Sequence, residues 1–572
     1  MNNVKVPNRK KMERELPLVW NINDVLGHIK SHGDKVCYKY YENGALLEMT
    51  YAEVLDNVTK VAAAFDKLGL VGKRVAVIGD TSPQWLCSYM GALASGTIVI
   101  PMDKELAVAE IEKFLTMVEA DAIIYGKSFN DKLSVTIESH PTLKLFIPIS
   151  SDAEASEKII PFSQFLEIGK QNIEDGYSIG NVENMDAMCE MLFTSGTTGT
   201  SKCVMLSQKN IFSAVRSAIE SVCFTSDDVL VSVLPVHHTY ELMCLLAGSC
   251  FGITICINDS LRHVMKNFAL FKPTGLVLVP MFLNTMYKRI WSEAERTGKD
   301  KLLKTALKAS RVMMKIGIDM RKTLFKSVLS AFGGRLDHVI CGGAKLNPDL
   351  IVAFEEFGIS VFEGFGITEC SPLVSVTPYY ARKLGAIGPA VPSCEIRIDP
   401  NGEETPEGYV MGEVQVKGDN VMLGYYNNPE ANADVFTADG WFRTGDVGYL
   451  DNDKYLYLTG RIKFVIVLEN GKNVFPEEIE EYLDTIDTIS EACVIGRKNP
   501  DSDEVVLTAV VYPDYTKFPK DVDDETVKDT IRKAINATNK RLPSYKQIKA
   551  IEVRKTEFEK TTTKKIKRQL VK

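Results

Sequence analysis

The chain has 572 residues, too many for one compact core, because single domains usually stop growing at about 250–300 residues. Apolar residues make up 45% of it and charged residues 25%, a globular balance that excludes a mostly disordered or collagen-like chain. The formal net charge is −8, so no overall positive field favours nucleic acid as the main partner.

The sequence shows no signal of export, of membrane insertion or of a metal centre. The N-terminal segment has basic residues but lacks the apolar stretch and cleavage site of a secretory signal. No run approaches the roughly 18 apolar residues that a spanning helix needs, so we expect a cytoplasmic protein. The twelve cysteines form no C-x-x-C pair and no ligand spacing with the seven histidines, which favours packed thiols over a metal or redox site.

Up to about residue 390, short apolar runs alternate with amphipathic segments. Residues 51–68 carry Val54, Val58, Val61 and Phe65 at helical spacing. Runs of strand length that are rich in β-branched residues occupy positions 74–80, 97–102, 120–125, 144–149, 229–234, 275–280 and 336–341. This alternation predicts an α/β fold with mostly parallel sheets.

The pattern changes twice towards the C-terminus. From about 390 to 460 it consists of short alternating strands separated by Gly, Pro and Asn-Asn, which indicates a β-rich subdomain. After Gly460 a new pattern of strands and helices begins and continues to the end. We therefore predict a large N-terminal domain at residues 1–460 and a small α+β C-terminal domain at 461–572.

Residues 288–326 are unusually basic. They contain 12 Lys or Arg against four Asp or Glu, a net charge of 12 − 4 = +8, together with regularly spaced Leu, Ile and Met. One interpretation is a solvated helical hairpin packed on the body of the protein. The other is a basic amphipathic surface that touches the inner face of a membrane.

The strongest local signal is the loop at residues 192–204, LFTSGTTGTSKCV. Gly196 and Gly199 allow tight turns, the Ser and Thr residues offer hydroxyl donors, and Lys202 adds a positive charge. Such a loop can direct several N–H and O–H donors at one polyanion. It is not a Walker P-loop, because G-x4-G-K-S/T is absent. On these residues alone, a phosphate-binding loop and an ordinary surface turn both remain open.

The loop resembles the phosphate-loop signature of the adenylate-forming enzymes, the group of acyl-CoA synthetases, firefly luciferase and peptide-synthetase adenylation domains. Further segments resemble the family's signatures and follow in its order: LPVHH, CGGAKL, EGFGITE, GWFRTGD, GRIKFVIVLENGKNVFPEEIE and EKTTTKKIKR. These matches span about residues 190–568. The chain is thereby identified as a member of this family, closest to the long-chain fatty acyl-CoA synthetases.

The resemblance implies a two-step reaction. A carboxylate attacks the α-phosphorus of ATP to give an acyl-adenylate and pyrophosphate, and a thiol then attacks the activated carbonyl. Because the reactants of the first step are both anionic, catalysis needs positioning and charge neutralisation more than a strong base. The implied cofactors and co-substrates are ATP, Mg²⁺ and coenzyme A.

The resemblance also implies a nucleotide site. The residues that match the family's phosphate loop are Thr194, Ser195, Gly196, Thr197, Thr198, Gly199 and Lys202. Thr368 would contact the α-phosphate, and Glu369 would hold Mg²⁺ with a hard carboxylate oxygen. The residues that match the adenine and ribose contacts are Gly343, Ala344, Phe365, Gly366, Asp446 and Arg461. Phe365 could alternatively be a core residue.

Lys565 matches the lysine with which the family neutralises the carboxylate and the α-phosphate. The match rests on its spacing to Thr561 and Arg568, since Glu559 stands where Pro is usual and Lys564 where Gly is usual. Lys564 is the less favoured alternative.

A second conformation is implied for the thiol step, with the C-terminal domain mobile about a hinge at Lys463. The rotated domain would present Gly471 and Lys472 to coenzyme A, because glycine leaves room for a pantetheine tunnel. Phe464 beside the hinge replaces a common Asp or Asn, which weakens the hinge assignment.

The acid substrate is predicted from the segment LPVHHTYEL and from the helical insertion. The segment has no Asp to pair with an amino acid, and His238 occupies the place of an aromatic or His gate over the carboxylate, unless it is a packed core histidine. The insertion resembles long-chain synthetases, so we expect a medium- or long-chain fatty acid. Residues 281–283 would line its tunnel or simply begin an apolar helix. Transfer to acyl carrier protein and a non-enzymatic scaffold remain as alternatives.

Overall fold

The computed structural model describes residues 15–42, 44–133, 140, 142–149, 154–194, 201–469, 472–498, 505–560 and 565–571. Its helices are α1 (Ile22–His32), α2 (Tyr51–Lys67), α3 (Pro83–Ser95), α4 (Val108–Met117), α5 (Phe162–Glu174), α6 (Gln208–Ser221), α7 (Thr239–Phe251), α8 (Val264–Phe271), α9 (Pro280–Arg296), α10 (Asp300–Lys315), α11 (Arg321–Leu324), α12 (Lys326–Ser330), α13 (Pro348–Glu356), α14 (Pro429–Val435), α15 (Pro476–Leu483) and α16 (Asp524–Asn539).

The strands alternate with these helices along the chain. They are β1 (Val36–Glu42), β2 (Ala45–Thr50), β3 (Arg74–Ile78), β4 (Ile98–Met102), β5 (Ala122–Tyr125), β6 (Leu145–Pro148), β7 (Met188–Thr194), β8 (Lys202–Ser207), β9 (Val229–Ser232), β10 (Thr254–Ile257), β11 (Gly275–Leu278), β12 (His338–Gly342), β13 (Ser360–Gly366), β14 (Leu373–Val376), β15 (Cys394–Glu404), β16 (Val410–Gly418), β17 (Gly424–Tyr425), β18 (Phe442–Leu450), β19 (Leu456–Arg461), β20 (Ile466–Val467), β21 (Asn473–Val474), β22 (Ile489–Lys498), β23 (Val505–Pro513) and β24 (Ala550–Val553).

Two large sheets form the N-terminal part, in the orders β14-β13-β12-β11-β9-β10-β1-β2 and β17-β8-β7-β4-β3-β5-β6. Their central strands run parallel and are almost wholly buried, as β-branched runs covered by helices on both faces require. Every strand-length run predicted up to residue 341 is a strand, and the predicted helix at 51–68 is α2. The α/β fold with mostly parallel sheets is therefore confirmed.

Side-chain caps fix where several of these helices begin. Thr50 accepts a hydrogen bond from the backbone of Glu53 while Glu53 accepts one from the backbone of Thr50, and Ser207 and Asn210 make the same reciprocal pair at α6. The capped helix α6 packs against α7, the helix that begins directly after His238.

The predicted β-rich segment forms an antiparallel sheet of order β15-β16-β18-β19. One of its expected strands behaves differently: β17 leaves this sheet and pairs with β8 of the seven-stranded sheet, Tyr425 opposite Val204. This crossing joins the β-rich segment to the hairpin that carries the glycine-rich loop.

The C-terminal strands β22-β23-β24 form a three-stranded sheet covered by α15 and α16. Its apolar core is separate from the main one and includes Ile479, Val494, Leu507, Ile531 and Ile535. An independent core is what a small separate domain needs.

The basic segment at 288–326 is helical, formed by the second half of α9, by α10 and by α11. Within the described ranges, no helix is both long and apolar enough to cross a bilayer. Ten of the twelve cysteines are buried and the other two are half-buried, so the interpretation as packed thiols is confirmed.

Candidate functional site

The predicted site residues lie where parallel strands end. β9, β12 and β13 are neighbours or near neighbours in one sheet, and their carboxyl ends lead into residues 233–238, 343–347 and 367–371. Open α/β sheets bind ligands at this edge, because the loops that leave adjacent parallel strands converge there. The sequence motifs LPVHH, CGGAKL and EGFGITE are thus brought together by the strand order.

Two glycines at this edge are required by the backbone. Gly343 adopts a φ of +84°, a left-handed conformation that favours glycine. A Cβ on Gly366 would approach the carbonyl oxygen of Pro372 to 2.0 Å, so no larger residue fits there. Gly343 and Ala344 are exposed at the end of β12, whereas Phe365 is only 8% exposed.

The hairpin β7–β8 carries the glycine-rich loop. Thr194 lies opposite Lys202, and its hydroxyl donates to the carbonyl of Lys202 over 3.4 Å. The predicted phosphate-binding residues Ser195, Gly196, Thr197, Thr198 and Gly199 lie outside the described residues. The structure therefore places the base of this loop but not its tip.

Tyr425 connects this hairpin to Glu369. Its ring centroid lies 4.6 Å from Nζ of Lys202, and its hydroxyl donates to Oε1 of Glu369 over 2.8 Å. Burial and the charge of Glu369 raise the pKa of Tyr425, so the phenol stays protonated and keeps donating. Thr368 and Glu369 begin a short turn directly after β13.

Sequence reasoning missed Tyr425. The pairing of β17 with β8, together with the hydrogen bond from the backbone N–H of Met422 to the carbonyl of Glu369, brings it to Glu369, and β8 and β17 are more than two hundred residues apart in the chain. The local signal is an aromatic residue after a glycine in the segment VMLGYY, which on its own indicates a strand in the neighbouring β-rich sheet.

Asp446 and Arg461 form a two-pronged ion pair across β18 and β19. Nε of Arg461 lies 2.8 Å from Oδ1 of Asp446, and Nη2 lies 3.2 Å from Oδ2. Asp446 is 8% exposed, and its charge raises the pKa of Arg461. Bidentate pairs of this kind fix both side chains in orientation.

Lys565 lies beside this pair, although it is more than one hundred residues further along the chain. The surrounding protein atoms displace water from the ammonium group of Lys565, and this desolvation lowers its pKa. The charge of Arg461 lowers the pKa further, whereas the charge of Asp446 raises it. Arg568 anchors the same tail, pairing with Glu480 and donating to the carbonyl of Val494 over 2.8 Å. The alternative lysine, Lys564, lies outside the described residues.

His238 stands at the start of α7. Burial and the adjacent His237 lower the pKa of His238 to about 3, so its imidazole is uncharged at neutral pH. Its Nε2 is buried and finds no hydrogen-bond partner among the described residues. By contrast, Nε2 of the adjacent His237 lies 3.5 Å from Oδ2 of Asp103. A buried nitrogen without a partner is costly, which marks His238 as a candidate contact for a polar ligand group.

The proposed hinge residue Lys463 follows β19 in a short turn. Burial and the neighbouring Arg461 lower the pKa of Lys463 to about 8. Phe464 makes cation–π contacts with two side chains: Nζ of Lys463 lies 4.8 Å from its ring centroid, and Cζ of Arg568 lies 5.0 Å from it. The residue that departs from the family pattern therefore has a local role. Lys472 contacts the ring of Tyr545 at 4.3 Å, and Gly471 lies outside the described residues.

The C-terminal part docks through α15. Nζ of Lys345 lies 2.7 Å from Oε1 of Glu481, Asn347 donates to the carbonyl of Glu481 over 3.1 Å, and Asn284 donates to the carbonyl of Asp484 over 3.0 Å. These are polar contacts between exposed or half-buried groups, which resembles a separable domain interface more than a continuous core.

An apolar cavity of about 80 Å³ lies beside the strand ends. It shares Gly343, Phe365 and Gly366 with the predicted nucleotide site, and side chains of α7 such as Met243 and Ala247 form another wall. Among the described residues that line it, none is charged. Residues 281–283 do not contribute to it; they begin α9.

A divalent cation would have Glu369 as its protein ligand here. Within the described ranges, no group of three or more ligating side chains is assembled. One carboxylate fits an ion that takes most of its oxygen ligands from phosphates and water, as Mg²⁺ commonly does.

Comparison with known proteins agrees with this architecture. The family model of the AMP-binding enzyme matches residues 27–426, and that of the AMP-binding enzyme C-terminal domain matches residues 463–572. The crystal structure of ATP-bound MatB from Rhodopseudomonas palustris has a TM-score of 0.72 at 24% identity, covering 96% of this chain and 98% of that one. That likeness concerns the fold alone.

Two relatives are similar along most of their length. A long-chain-fatty-acid–CoA ligase of Mycobacterium bovis is 26% identical over 507 residues, which cover 83% of this chain and 80% of that protein. A chloroplastic long-chain-fatty-acid–[acyl-carrier-protein] ligase of Arabidopsis thaliana is 25% identical over 591 residues, which cover 91% of this chain and 79% of that protein.

Proposed function

The chain belongs to the AMP-binding enzyme family, and we propose that it activates a medium- or long-chain fatty acid with ATP and transfers the acyl group to coenzyme A. Family membership makes it an adenylate-forming, AMP-releasing acid–thiol ligase. The identity of the acid and of the thiol is the proposal.

The observation that carries the proposal is the uncharged cavity. A hydrocarbon tail gains free energy from burial at about 0.8 kcal/mol per methylene, and the walls around Met243 and Ala247 offer it only apolar or small contacts. An amino acid substrate would need a carboxylate to hold its ammonium group. His238 is uncharged, and its buried Nε2 has no hydrogen-bond partner among the described residues, so it suits the polar head of the acid.

In the proposed first step, a carboxylate oxygen of the acid bonds to the α-phosphorus, and the bond from that phosphorus to pyrophosphate breaks. Lys565 would neutralise both anions as they approach, supported by its closeness to Arg461 and Asp446. Thr368 would donate to the α-phosphate, and Lys202 would meet the outer phosphates. Asp446 would accept hydrogen bonds from the ribose hydroxyls.

Glu369 would hold Mg²⁺, which when bound supplies positive charge to the phosphates. Tyr425 would act before that, because its hydrogen bond fixes one oxygen of Glu369 and leaves the other free for the ion.

In the proposed second step, the thiol sulfur bonds to the acyl carbonyl carbon, AMP leaves with the former carboxylate oxygen, and the thiol proton passes to solvent. Residues 461–572 would rotate about Lys463 between the steps and present Gly471 and Lys472 to coenzyme A. The polar contacts of Lys345 and Asn347 with α15 support such a release, since they can be exchanged for water. Acyl carrier protein is the second candidate acceptor, favoured by the likeness to the Arabidopsis ligase.

Replacing Lys565 with Ala tests the first step. We expect acid-dependent ATP–pyrophosphate exchange to fall about 100-fold, the size typical of one lost electrostatic stabiliser. Lys567→Ala in the same tail is the matched control and should retain exchange. Equal rates for Lys565→Ala and the unaltered enzyme would contradict the role of Lys565.

Tyr425→Phe tests the positioning of Glu369. A hydrogen bond to a charged group is worth about 1.5–3 kcal/mol, so we expect kcat/KM for ATP to fall at least about tenfold, with a higher Mg²⁺ requirement. Tyr89→Phe is matched, since Tyr89 also donates to a buried glutamate, Glu190, over 3.2 Å. Tyr89→Phe should change stability without changing kcat/KM for ATP; a similar fall of kcat/KM in both variants would refute the specific role of Tyr425.

Met243→Ala tests the cavity as the acyl site. Enlarging it should raise kcat/KM for palmitate relative to octanoate by several-fold, because each further methylene accommodated contributes about 0.8 kcal/mol. Met90→Ala removes an equally buried methionine that lines a different small cavity. The ratio should not change in that control, and an unchanged ratio in Met243→Ala would remove the cavity from the acyl path.

A further inference from the structure

Helix α10 presents an unusual outer face. The face that packs on the protein contains the buried residues Leu307 and Ser310. On the other side, Leu302 is 66% exposed, Val312 62% and Ile316 68%. Single exposed apolar residues are ordinary, but two large ones on one face of α10 with a third at its C-cap, Ile316, form an exposed patch of the kind that marks an interaction site.

These side chains form a regular row beside a row of lysines. Leu302, Ala309 and Ile316 recur every seven residues, as do Lys301, Lys308 and Lys315 immediately before them. Seven residues are close to two turns, so each set lies almost parallel to the helix axis. Apolar and cationic side chains therefore stand side by side along the whole helix.

The apolar row continues past the helix end. The backbone N–H of Ile318 donates to the carbonyl of Met313 over 3.0 Å, which folds this residue back against the last turn. Ile318 is 49% exposed, and Met320 and Leu324 follow at 39% and 36%. We call the face that contains residues 301, 302, 308, 312, 315, 316, 318, 320 and 324 the α10 surface.

The positive charge of this region is only partly neutralised. Lys304, Arg311, Arg321 and Lys322 have carboxylate partners. By contrast, five exposed lysines make no ion pair to any described residue: Lys299, Lys301, Lys308, Lys315 and Lys326. A local positive field thus remains on a protein whose net charge is −8.

We infer that the α10 surface docks on a membrane that contains anionic phospholipid. Exposed apolar side chains flanked by lysines are the arrangement of helices that lie in the plane of a bilayer surface, with the apolar row among the acyl chains and the lysines at the phosphates. The opposite charges of the surface and of the lipid headgroups select this partner. The inference goes beyond the proposed activity and does not depend on it.

Vesicle flotation of the full chain tests this without any substrate. The probes are vesicles of phosphatidylcholine alone and of phosphatidylcholine with phosphatidylglycerol, each at low and at high ionic strength. We expect binding to the anionic vesicles at low ionic strength, loss of that binding in high salt, and little binding to the neutral vesicles.

Two variants probe the two rows. Lys301→Glu with Lys308→Glu and Lys315→Glu should weaken binding to anionic vesicles at least about tenfold. Leu302→Ser with Val312→Ser and Ile316→Ser should also weaken binding to anionic vesicles. The binding that remains should still decrease in high salt. The matched control is Lys528→Glu with Lys533→Glu and Lys540→Glu on α16, which changes net charge equally on exposed lysines elsewhere and should keep binding.

Several results would overturn the inference. These are absence of vesicle binding, binding that ignores lipid charge and salt, or equal losses in the α10 and α16 lysine variants. If the α10 lysine variant alone lost affinity for holo acyl carrier protein while no variant bound vesicles, the surface would serve an acidic protein instead. Far-UV circular dichroism spectra and cooperative thermal unfolding like those of the unaltered protein show that the variants are folded.

Discussion

The ion pair between Asp446 and Arg461 is the fixed point around which the candidate site is organised. It closes the β-rich sheet at the last residue of β19, immediately before the turn that contains Lys463. Loss of contact with water lowers the pKa values of both Lys463 and Lys565, and the charge of Arg461 lowers them further. The buried carboxylate of Asp446 acts in the opposite direction on both lysines and so favours their charged forms.

That crowding of cations has a chemical use. A carboxylate and a nucleotide repel each other, and a cluster of lysine and arginine side chains at the meeting point offsets the repulsion. Arg568 holds the tail that carries Lys565 against α15 and β22. In the proposed mechanism, the C-terminal part would contribute the cation Lys565 to the first step, and its polar docking contacts would let it leave for the second.

Much of this was predictable from the sequence. The parallel strands of the N-terminal domain are continuous β-branched runs, and each predicted run is a strand. The ordered motifs predicted which family the chain belongs to, because they resemble that family's signatures in the same order. The reason why position 366 must be glycine, a close approach to the backbone of Pro372, is visible only in the folded structure.

What the sequence could not predict depends on long-range contacts. Tyr425 reaches Glu369 because β17 changes sheets, and no local pattern encodes that choice of neighbour. The buried position of the His238 ring and the cavity near Met243 likewise depend on packing among several helices and strands. The charge of the basic segment could be counted in the sequence. The parallel rows of apolar and lysine side chains could be recognised only once the bounds of α10 were known.

The central claim is that this site joins a hydrocarbon acid to a thiol through an adenylate. The most direct measurement is pyrophosphate release with acids from acetate to oleate, with coenzyme A or holo acyl carrier protein supplied separately. The account predicts turnover that depends on coenzyme A and is highest with medium- or long-chain acids. Turnover with the carrier protein alone would reassign the acceptor, and no release with any acid would contradict the account.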